Sequence, residues 1–236
     1  IDVLIGRAGA AVARTAKRMM GGLYGRTVVV VVGKGNNGAD GRMAARLLAD
    51  QGVRVHVLDA QQMPLRLPVS DLIIDAAFGT GFRGEWSPPS TKGVPVLAVD
   101  IPSGIDGLTG LAAPDTWQAT RTVTFVALKP GLLLGAGRAL CGDVELVDIG
   151  INLGMGNVDI NEVERSDVSQ WVPQRPFDSH KWKAALYAVA GSSGMMGAAN
   201  LCSASAMRAG AGIVHVASPG IVSDRSTSTE IVRRAL

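Results

Sequence analysis

Three short segments hold most of the residues whose types and spacing allow chemistry. The first, Gly33-Lys34-Gly35-Asn36-Asn37-Gly38-Ala39-Asp40-Gly41, follows the five valines Val28 to Val32 and matches G-x-G-x-x-G at Gly33, Gly35 and Gly38. Glycines at this spacing after a buried strand bring a diphosphate to a helix N-terminus, and Asp59 lies about twenty residues on, where a ribose-binding acid is expected. Asp40 fits that reading badly, because a carboxylate in the first turn of the next helix repels the phosphate that the helix dipole would hold. The second segment runs Asp75-Ala76-Ala77-Phe78-Gly79-Thr80-Gly81-Phe82-Arg83-Gly84-Glu85. Its backbone N–H groups are suited to lining a phosphate, with Arg83 adding charge. The third is Asp100-Ile101-Pro102-Ser103-Gly104-Ile105-Asp106-Gly107, where Pro102 keeps the chain extended, Gly104 permits a close turn and Ser103 is held near a strand end.

Asn37, Asp75 and Ser103 offer oxygen donors without thiol or imidazole, a set that suits a hard cation rather than zinc. A serine hydrolase is disfavoured, since no G-x-S-x-G surrounds Ser103 and His56, His180 and His215 fall in a strand, a linker and a strand. Walker A fails because no Lys-Ser or Lys-Thr follows the glycines. Asp59, Asp75 and Asp100 each close an expected strand, on the rim where open α/β sheets bind ligands; the competing reading is that each caps a turn.

The elements that must position these residues are legible from periodicity. Strands are expected at 27–32, 53–58, 71–75, 95–100, 121–127 and 144–149, with helices at 8–20 and 40–50, which is the alternation of a parallel sheet with covering helices. The connection from residue 58 to 71 contains Pro64 and Pro68 and lacks the helix that a parallel crossover normally carries, so residues are suspected to be missing near 60–69; the polar stretch 223–229 raises the same suspicion. After a polar linker, 186–190, 198–208 and 213–217 read as strand, helix and strand. One such βαβ unit cannot bury both its faces, so either it packs on the first domain or the rest of a second domain is absent from this sequence, and absence is the favoured reading.

Hydrophobic residues make up 47% of the 236 and aromatics 4%, with 30 glycines, which favours an α/β core of Val, Ala and Leu over disorder or a β-sandwich. The net charge of +3 arises from scattered Lys and Arg without the basic runs that nucleic-acid grooves use, so no nucleic-acid partner is expected. No apolar run approaches a membrane span and no signal-peptide pattern opens the chain, which lacks an initiating Met and so reads as trimmed at its start. Cys141 and Cys202 lie in no metal-ligand spacing; both are expected as core thiols of a cytoplasmic protein.

Taken together and in order, Gly33-x-Gly35-Asn36-Asn37-Gly38-x-Asp40-Gly41, Asp75-Ala76-x-Phe78-Gly79-x-Gly81 and Asp100-Ile101-Pro102-Ser103-Gly104-x-Asp106 resemble the NAD(P)H-hydrate epimerase domain. Leu128-Lys129-Pro130-Gly131 and Gly142-Asp143 continue the likeness, which spans most of 1–150. The resemblance implies a three-layer, Rossmann-like α/β fold with a mostly parallel sheet, a substrate that is a nicotinamide nucleotide hydrated at ring carbon six, and interconversion of its R and S epimers. By motif position it implies substrate contacts from Asn36, Asn37, Gly38, Ala39 and Asp40, from Gly79, Thr80, Gly81, Phe82, Arg83, Gly84 and Glu85, and from Asp100. It further implies K+ on Asn37, Asp75 and Ser103, with Asp75 transferring the proton and Lys129 as a second catalytic residue. Lys34 stands where the family often has Pro, and Ala39 where it often has Gly.

Residues 179–219 resemble the opening of the ADP-dependent NAD(P)H-hydrate dehydratase family, through Ser179-His180-Lys181, Gly191-Ser192-x-Gly194-Met195-x-Gly197-Ala198-Ala199 and Arg208-Ala209-Gly210-Ala211-Gly212. This second resemblance implies an incomplete ribokinase-like domain, Ala198 as a substrate contact, and ADP and Mg2+ as cofactors of the complete protein; that family's catalytic Gly-Asp segment comes later than these residues. The expected organisation is an epimerase domain at 1–155, a linker at 156–178 and a dehydratase fragment at 179–236. Self-association is expected because related enzymes assemble. An NAD-dependent dehydrogenase using Gly33 to Gly38 and a non-catalytic nucleotide-binding module remain as rivals.

Overall fold

Five successive valines can be buried together only where a strand has packing on both faces, and β1 (Thr27–Val32) occupies such a place. The computed structural model describes residues 1–152, 154, 160–172, 174–220 and 230–234, and the chain divides into two units, Ile1–Val158 and Asp159–Leu236. In the first unit β1 is joined by β2 (Arg54–Asp59), β3 (Leu72–Ala76), β4 (Val96–Val99), β5 (Arg121–Phe125) and β6 (Asp143–Val147). All pairs are parallel, in the order β2-β1-β3-β4-β5-β6. The direction of winding reverses between β1 and β3, so their carboxyl ends open a crevice there.

Val28, Val30 and Val32 face a core shared with Leu72, Ile74, Leu97 and two helices, α1 (Asp2–Met20) and α2 (Asn36–Ala49). Val29 and Val31 point the other way, towards Ile73, Ala98, Trp86 and Trp117. At about 1.5–3 kcal/mol for each fully buried Val, this strand anchors the sheet from both sides. α1 begins earlier than its periodicity indicates and ends at Gly21, which takes the left-handed conformation with φ 66.

α2 also begins earlier than expected. Asn36 and Asn37 form its first turn, which moves Asp40 one turn into the helix and away from the free N–H groups at its start. Gly38, which falls in the glycine loop ahead of the expected helix start, and Gly41, inside the expected helix, both lie within α2 at positions where no side chain fits. A Cβ on Gly38 would lie 2.0 Å from the Gly33 carbonyl oxygen, and one on Gly41 would lie 2.4 Å from the Ala76 Cβ.

The second face of the sheet is covered mainly by coil. Ala60, Met63 and Leu67 of the β2–β3 connection pack against it with the aromatic chain Phe78, Trp86 and Trp117, and this is the third layer. The connection carries no helix. It runs back along β1, with the Ala60 N–H donating to the Val32 carbonyl at 3.0 Å and the Asp71 N–H donating to the Thr27 carbonyl at 2.8 Å. An extended segment covers a strand of this length at about 3.3 Å per residue, so the crossover closes without a helix.

β4 and β5 stop short of their expected ends because each runs into a γ-turn. Asp100 has φ 68 and Val126 φ 70. The Ile101 N–H donates to the Val99 carbonyl and the Ala127 N–H to the Phe125 carbonyl, both at 2.8 Å. A β-branched residue with positive φ is strained and persists only where its surroundings hold it. Beyond β5 come two short helices, α3 (Pro130–Leu133) and α4 (Gly135–Leu140).

The second unit contains α5 (Arg165–Trp171), capped reciprocally by Glu164 and Asp167, then a 3-10 turn at Lys181–Ala184, β7 (Ala185–Val189), α6 (Gly197–Arg208), β8 (Ile213–Ala217) and β9 (Ile231–Arg234). Its three strands are parallel in the order β7-β8-β9, and α6 covers the face carrying Ala188, Val214, Val216 and Ile231. Cys141 is buried as expected, whereas Cys202 is exposed on α6 rather than in a core. The expected domain end at 155 and the suspected gap at 223–229 lie outside the described residues. Among the described residues no helix is long and apolar enough to cross a membrane.

Candidate functional site

At the carboxyl ends of β1, β3, β4 and β5 lies a cleft of about 950 Å³, within the range of small-molecule and cofactor sites. Gly33 to Asn37 and Asp40 form one wall, Ala77 to Arg83 a second, and Asp100 with the segment from Phe125 to Pro130 a third. Gln61, on the helix-free connection, reaches the mouth.

Asp75 and Ser103, beneath the floor, are tied to Phe78 and Asn37 of the lining. Asp75 is fully buried. Its Oδ1 accepts from the Ser103 hydroxyl at 2.5 Å and from the Ala77 N–H at 3.3 Å, and its Oδ2 accepts from the Ser103 N–H at 2.8 Å. The Ser103 Oγ in turn accepts from the Phe78 N–H at 2.9 Å, and the Phe78 carbonyl accepts from the Asn37 Nδ2 at 2.9 Å. Burial pushes the Asp75 pKa up, and the hydrogen bonds from Ser103 and Ala77 offset only part of that shift. The Asn37 Oδ1 is buried with no hydrogen-bond partner. A buried acceptor without a donor costs about 1–3 kcal/mol, and it fits a site built to meet a cation. Among the described residues no group of three or more His, Cys, Asp or Glu could hold a metal, so any cation here rests on neutral oxygens and one carboxylate.

On the cleft wall, burial and the nearby Asp100 carboxylate push the Asp40 pKa up to about 7. Asp100 is joined to Lys129, whose Nζ lies 2.5 Å from its Oδ1. The same ammonium donates to the Thr124 Oγ1 and to the Phe125 carbonyl, both at 2.8 Å. The Asp100 Oδ2 faces Gly79, where a Cβ would come 3.8 Å away. The cleft therefore presents a carboxyl group poised near neutrality beside a fixed, charge-balanced ion pair. Such an arrangement is suited to delivering and recovering a proton at neutral pH.

At the mouth, Arg83 lies 3.7 Å from Asp106, whose carboxylate already accepts from the Leu108 and Thr109 N–H groups and the Thr109 hydroxyl. Phe78 and Phe82 stand 5.2 Å apart at 52°, giving a planar ligand an aromatic surface.

Of the residues singled out from sequence, Asn36, Asn37, Asp40, Gly79, Thr80, Gly81, Phe82, Arg83, Asp100 and Lys129 line the cleft. Gly38 is used in packing under Gly33, Ala39 is half-buried behind the wall, and Gly84 and Glu85 lie exposed just past the cleft-lining turn. Asp75 and Ser103 form the layer below the floor, so Asp75 does not face the cleft as a proton donor to a ligand would. Asp59 is an exposed turn cap whose Oδ1 accepts from the Gln61 N–H at 2.8 Å. Ala198 is exposed on α6 of the second unit. Thr124, Val126 and Gln61 were not apparent from sequence. A threonine or valine in a strand carries no signal of its own, and the cleft position of Gln61 depends on the missing helix.

Fold and site together define a doubly wound, parallel α/β unit with a ligand-sized cleft at the switch point between β1 and β3. The family model described as YjeF-related protein N-terminus matches residues 1–67 and 59–131, and the chain belongs to that family. The chain is 32% identical to a protein of Moorella thermoacetica over 95% of this chain and 52% of the relative. It is 37% identical to one of Mycobacterium leprae over 84% and 46%, and 32% identical to one of Escherichia coli over 80% and 44%. All three are named bifunctional NAD(P)H-hydrate repair enzyme Nnr. The chain spans about half the length of the curated relatives it matches. A solved yeast structure, ynu0, is similar at TM-score 0.49 and 21% identity, over 66% of this chain and 87% of that one.

Proposed function

We propose that the first unit is the epimerase part of a bifunctional nicotinamide-nucleotide repair enzyme, interconverting the R and S epimers of NADH or NADPH hydrate. The names of the relatives support the substrate class. The observation that carries the reaction is the cleft wall, where Asp40, with its pKa near 7, stands by the Asp100–Lys129 ion pair.

In this reading Asp40 in its acid form gives its proton to the hydroxyl on ring carbon six. The carbon–oxygen bond breaks, water leaves, and the ring nitrogen supplies the electron pair that makes an iminium. The Asp40 carboxylate left behind, together with Asp100 held by Lys129, offsets that developing positive charge. Water then adds to either ring face and returns a proton to Asp40, so atoms and charge balance. Asp75 takes a positioning role in place of the proton transfer expected of it, because it is fully buried, does not line the cleft and is bonded to Ser103. Asn37 Oδ1, the Phe78 carbonyl, Ser103 and Asp75 would hold K+, which when bound supplies positive potential to the floor and ties three loops together. Arg83 and the N-terminal turn of α2, both in the cleft lining, would meet the diphosphate in this reading.

The second unit is proposed as the opening of the dehydratase part. The 95% coverage by the Moorella thermoacetica relative supports this, since it reaches well beyond residue 158. ADP and Mg2+ binding, a ribokinase-like fold, Ala198 as a substrate contact, self-association and a cytoplasmic setting belong to the same proposal and rest on sequence resemblance and cysteine usage. Chromatographic separation of R and S hydrate, followed with and without K+, tests the epimerase reading. Exchange between the epimers supports it, hydride exchange with a substrate would point to a dehydrogenase, and binding without turnover to a nucleotide-binding module.

A further inference from the structure

Lys129 approaches the cleft from the residue before α3, and its ammonium has three acceptors: Asp100 Oδ1, Thr124 Oγ1 and the Phe125 carbonyl. Thr124 is fully buried on β5, and its hydroxyl donates to the Asp100 Oδ1 at 3.2 Å. A threonine hydroxyl has one hydrogen. Spending it on Asp100 leaves the Oγ1 lone pairs for Lys129, so a single group bridges the ammonium and the carboxylate.

Thr122, two residues earlier on the same face of β5, is equally buried and makes a contrast. Its hydroxyl donates to the Cys141 carbonyl at 2.6 Å, a side-chain-to-backbone bond that ties β5 to the segment just before β6. The hydroxyl of Thr124 bonds only the two charged side chains of the cleft wall among the hydrogen bonds described. Thr124 itself is not among the residues lining the cleft.

The backbone around this bridge is held on both sides. Asp100 and Val126 sit in γ-turns with positive φ, and the Asp100 N–H donates to the Val123 carbonyl at 2.7 Å. The turn at Val126 bends the chain directly after Phe125, whose carbonyl accepts both from the Ala127 N–H and from Lys129.

We propose that Thr124 is a positioning residue: its buried hydroxyl locks Lys129 and Asp100 into one rigid unit between two γ-turns. The inference rests on the reading of the cleft as an epimerase site. The test compares wild type with Thr124→Val, Thr124→Ser and Thr122→Val in steady-state epimer exchange and in acylation of the Lys129 amine by a water-soluble reagent, read by mass spectrometry. Thr124→Val should lower kcat by about 10- to 100-fold while KM stays within about twofold. It should also raise Lys129 acylation, and Thr124→Ser should restore both. Thr122→Val should leave kcat and acylation at wild-type values. Wild-type kcat and acylation in Thr124→Val, or an equal loss of kcat in Thr122→Val, would overturn the proposal. If Thr124→Val does not fold, Thr124→Ser against Thr124→Ala isolates the hydroxyl in the same two measurements. If wild type shows no epimer exchange, the reading of the cleft fails, and the acylation comparison alone decides the role of Thr124.

Discussion

Gly38 lies so close over Gly33 that a Cβ on the first would sit 2.0 Å from the carbonyl oxygen of the second. Gly33 is itself pressed against the residue that follows β3, where an added Cβ would come 1.9 Å from the Ala77 carbonyl oxygen. Two of the three glycines of the G-x-G-x-x-G spacing therefore answer to packing of α2 against the strand ends. Gly38→Ala is expected to destabilise the first unit by about 1–3 kcal/mol or more, because backbone cannot yield as a side chain does. Urea denaturation followed by circular dichroism measures this, and an unchanged midpoint would contradict the packing argument.

Asp40 makes stability depend on pH. Its folded pKa is about 7 against an ordinary carboxyl value of 3.8, so its contribution to stability is fully present below pH 3.8 and is lost as pH rises through about 7. Asn in its place mimics the protonated form at every pH. Asp40→Asn should match wild type near pH 4 and be more stable than wild type at pH 8, while losing most epimer exchange. Wild-type exchange should itself fall as pH rises through about 7. Denaturation midpoints at the two pH values and a pH–rate profile test both halves.

Lys129 and Asp100 have side chains only 19% and 17% exposed. Removing one charge leaves the other poorly solvated, at a cost of about 1–3 kcal/mol, between the values for surface and buried pairs. Lys129→Met is expected to reduce kcat at least about tenfold. Lys129→Arg should not restore it, since a planar guanidinium does not match three acceptors gathered around one nitrogen. Steady-state rates on both variants decide this.

The unpartnered Asn37 Oδ1 predicts a cation response. At constant ionic strength, replacing K+ with choline should slow epimer exchange in wild type. Asn37→Leu should be slow in both salts and lose the difference between them. A wild-type rate independent of K+ would remove the cation from the proposal.

Much of the scaffold could be read in advance. The five valines announced a central strand, and the order of the three motifs located the crevice. The start of α2 was hidden because Gly33 to Gly38 read as a phosphate-type loop until Gly38 is seen packed against Gly33. Asp59, Asp75 and Asp100 seemed alike as strand-ending carboxylates, but pleat and roofing separate them. Asp59 is exposed, Asp75 lies sealed under Ser103 and Phe78, and Asp100 alone lines the cleft. Val126 could not be anticipated, because strand propensity argues against a β-branched residue at φ 70. Its N–H bond to the Val147 carbonyl and its contact with the core overrule that preference.

The coil between β2 and β3 has both ends pinned to β1, through Ala60 and Asp71, while the chain between them follows no register. Such a segment is a port for length variation. Closing a longer loop costs only about 0.6 kcal/mol for each doubling, so residues can be gained or lost there without shifting any strand of the sheet. Because Gln61 is an exposed residue of the cleft lining, each change in length would reshape that part of the site and leave the wall carrying Asp40, Asp100 and Lys129 untouched. Substrate range and reaction chemistry can thus diverge independently within one sheet.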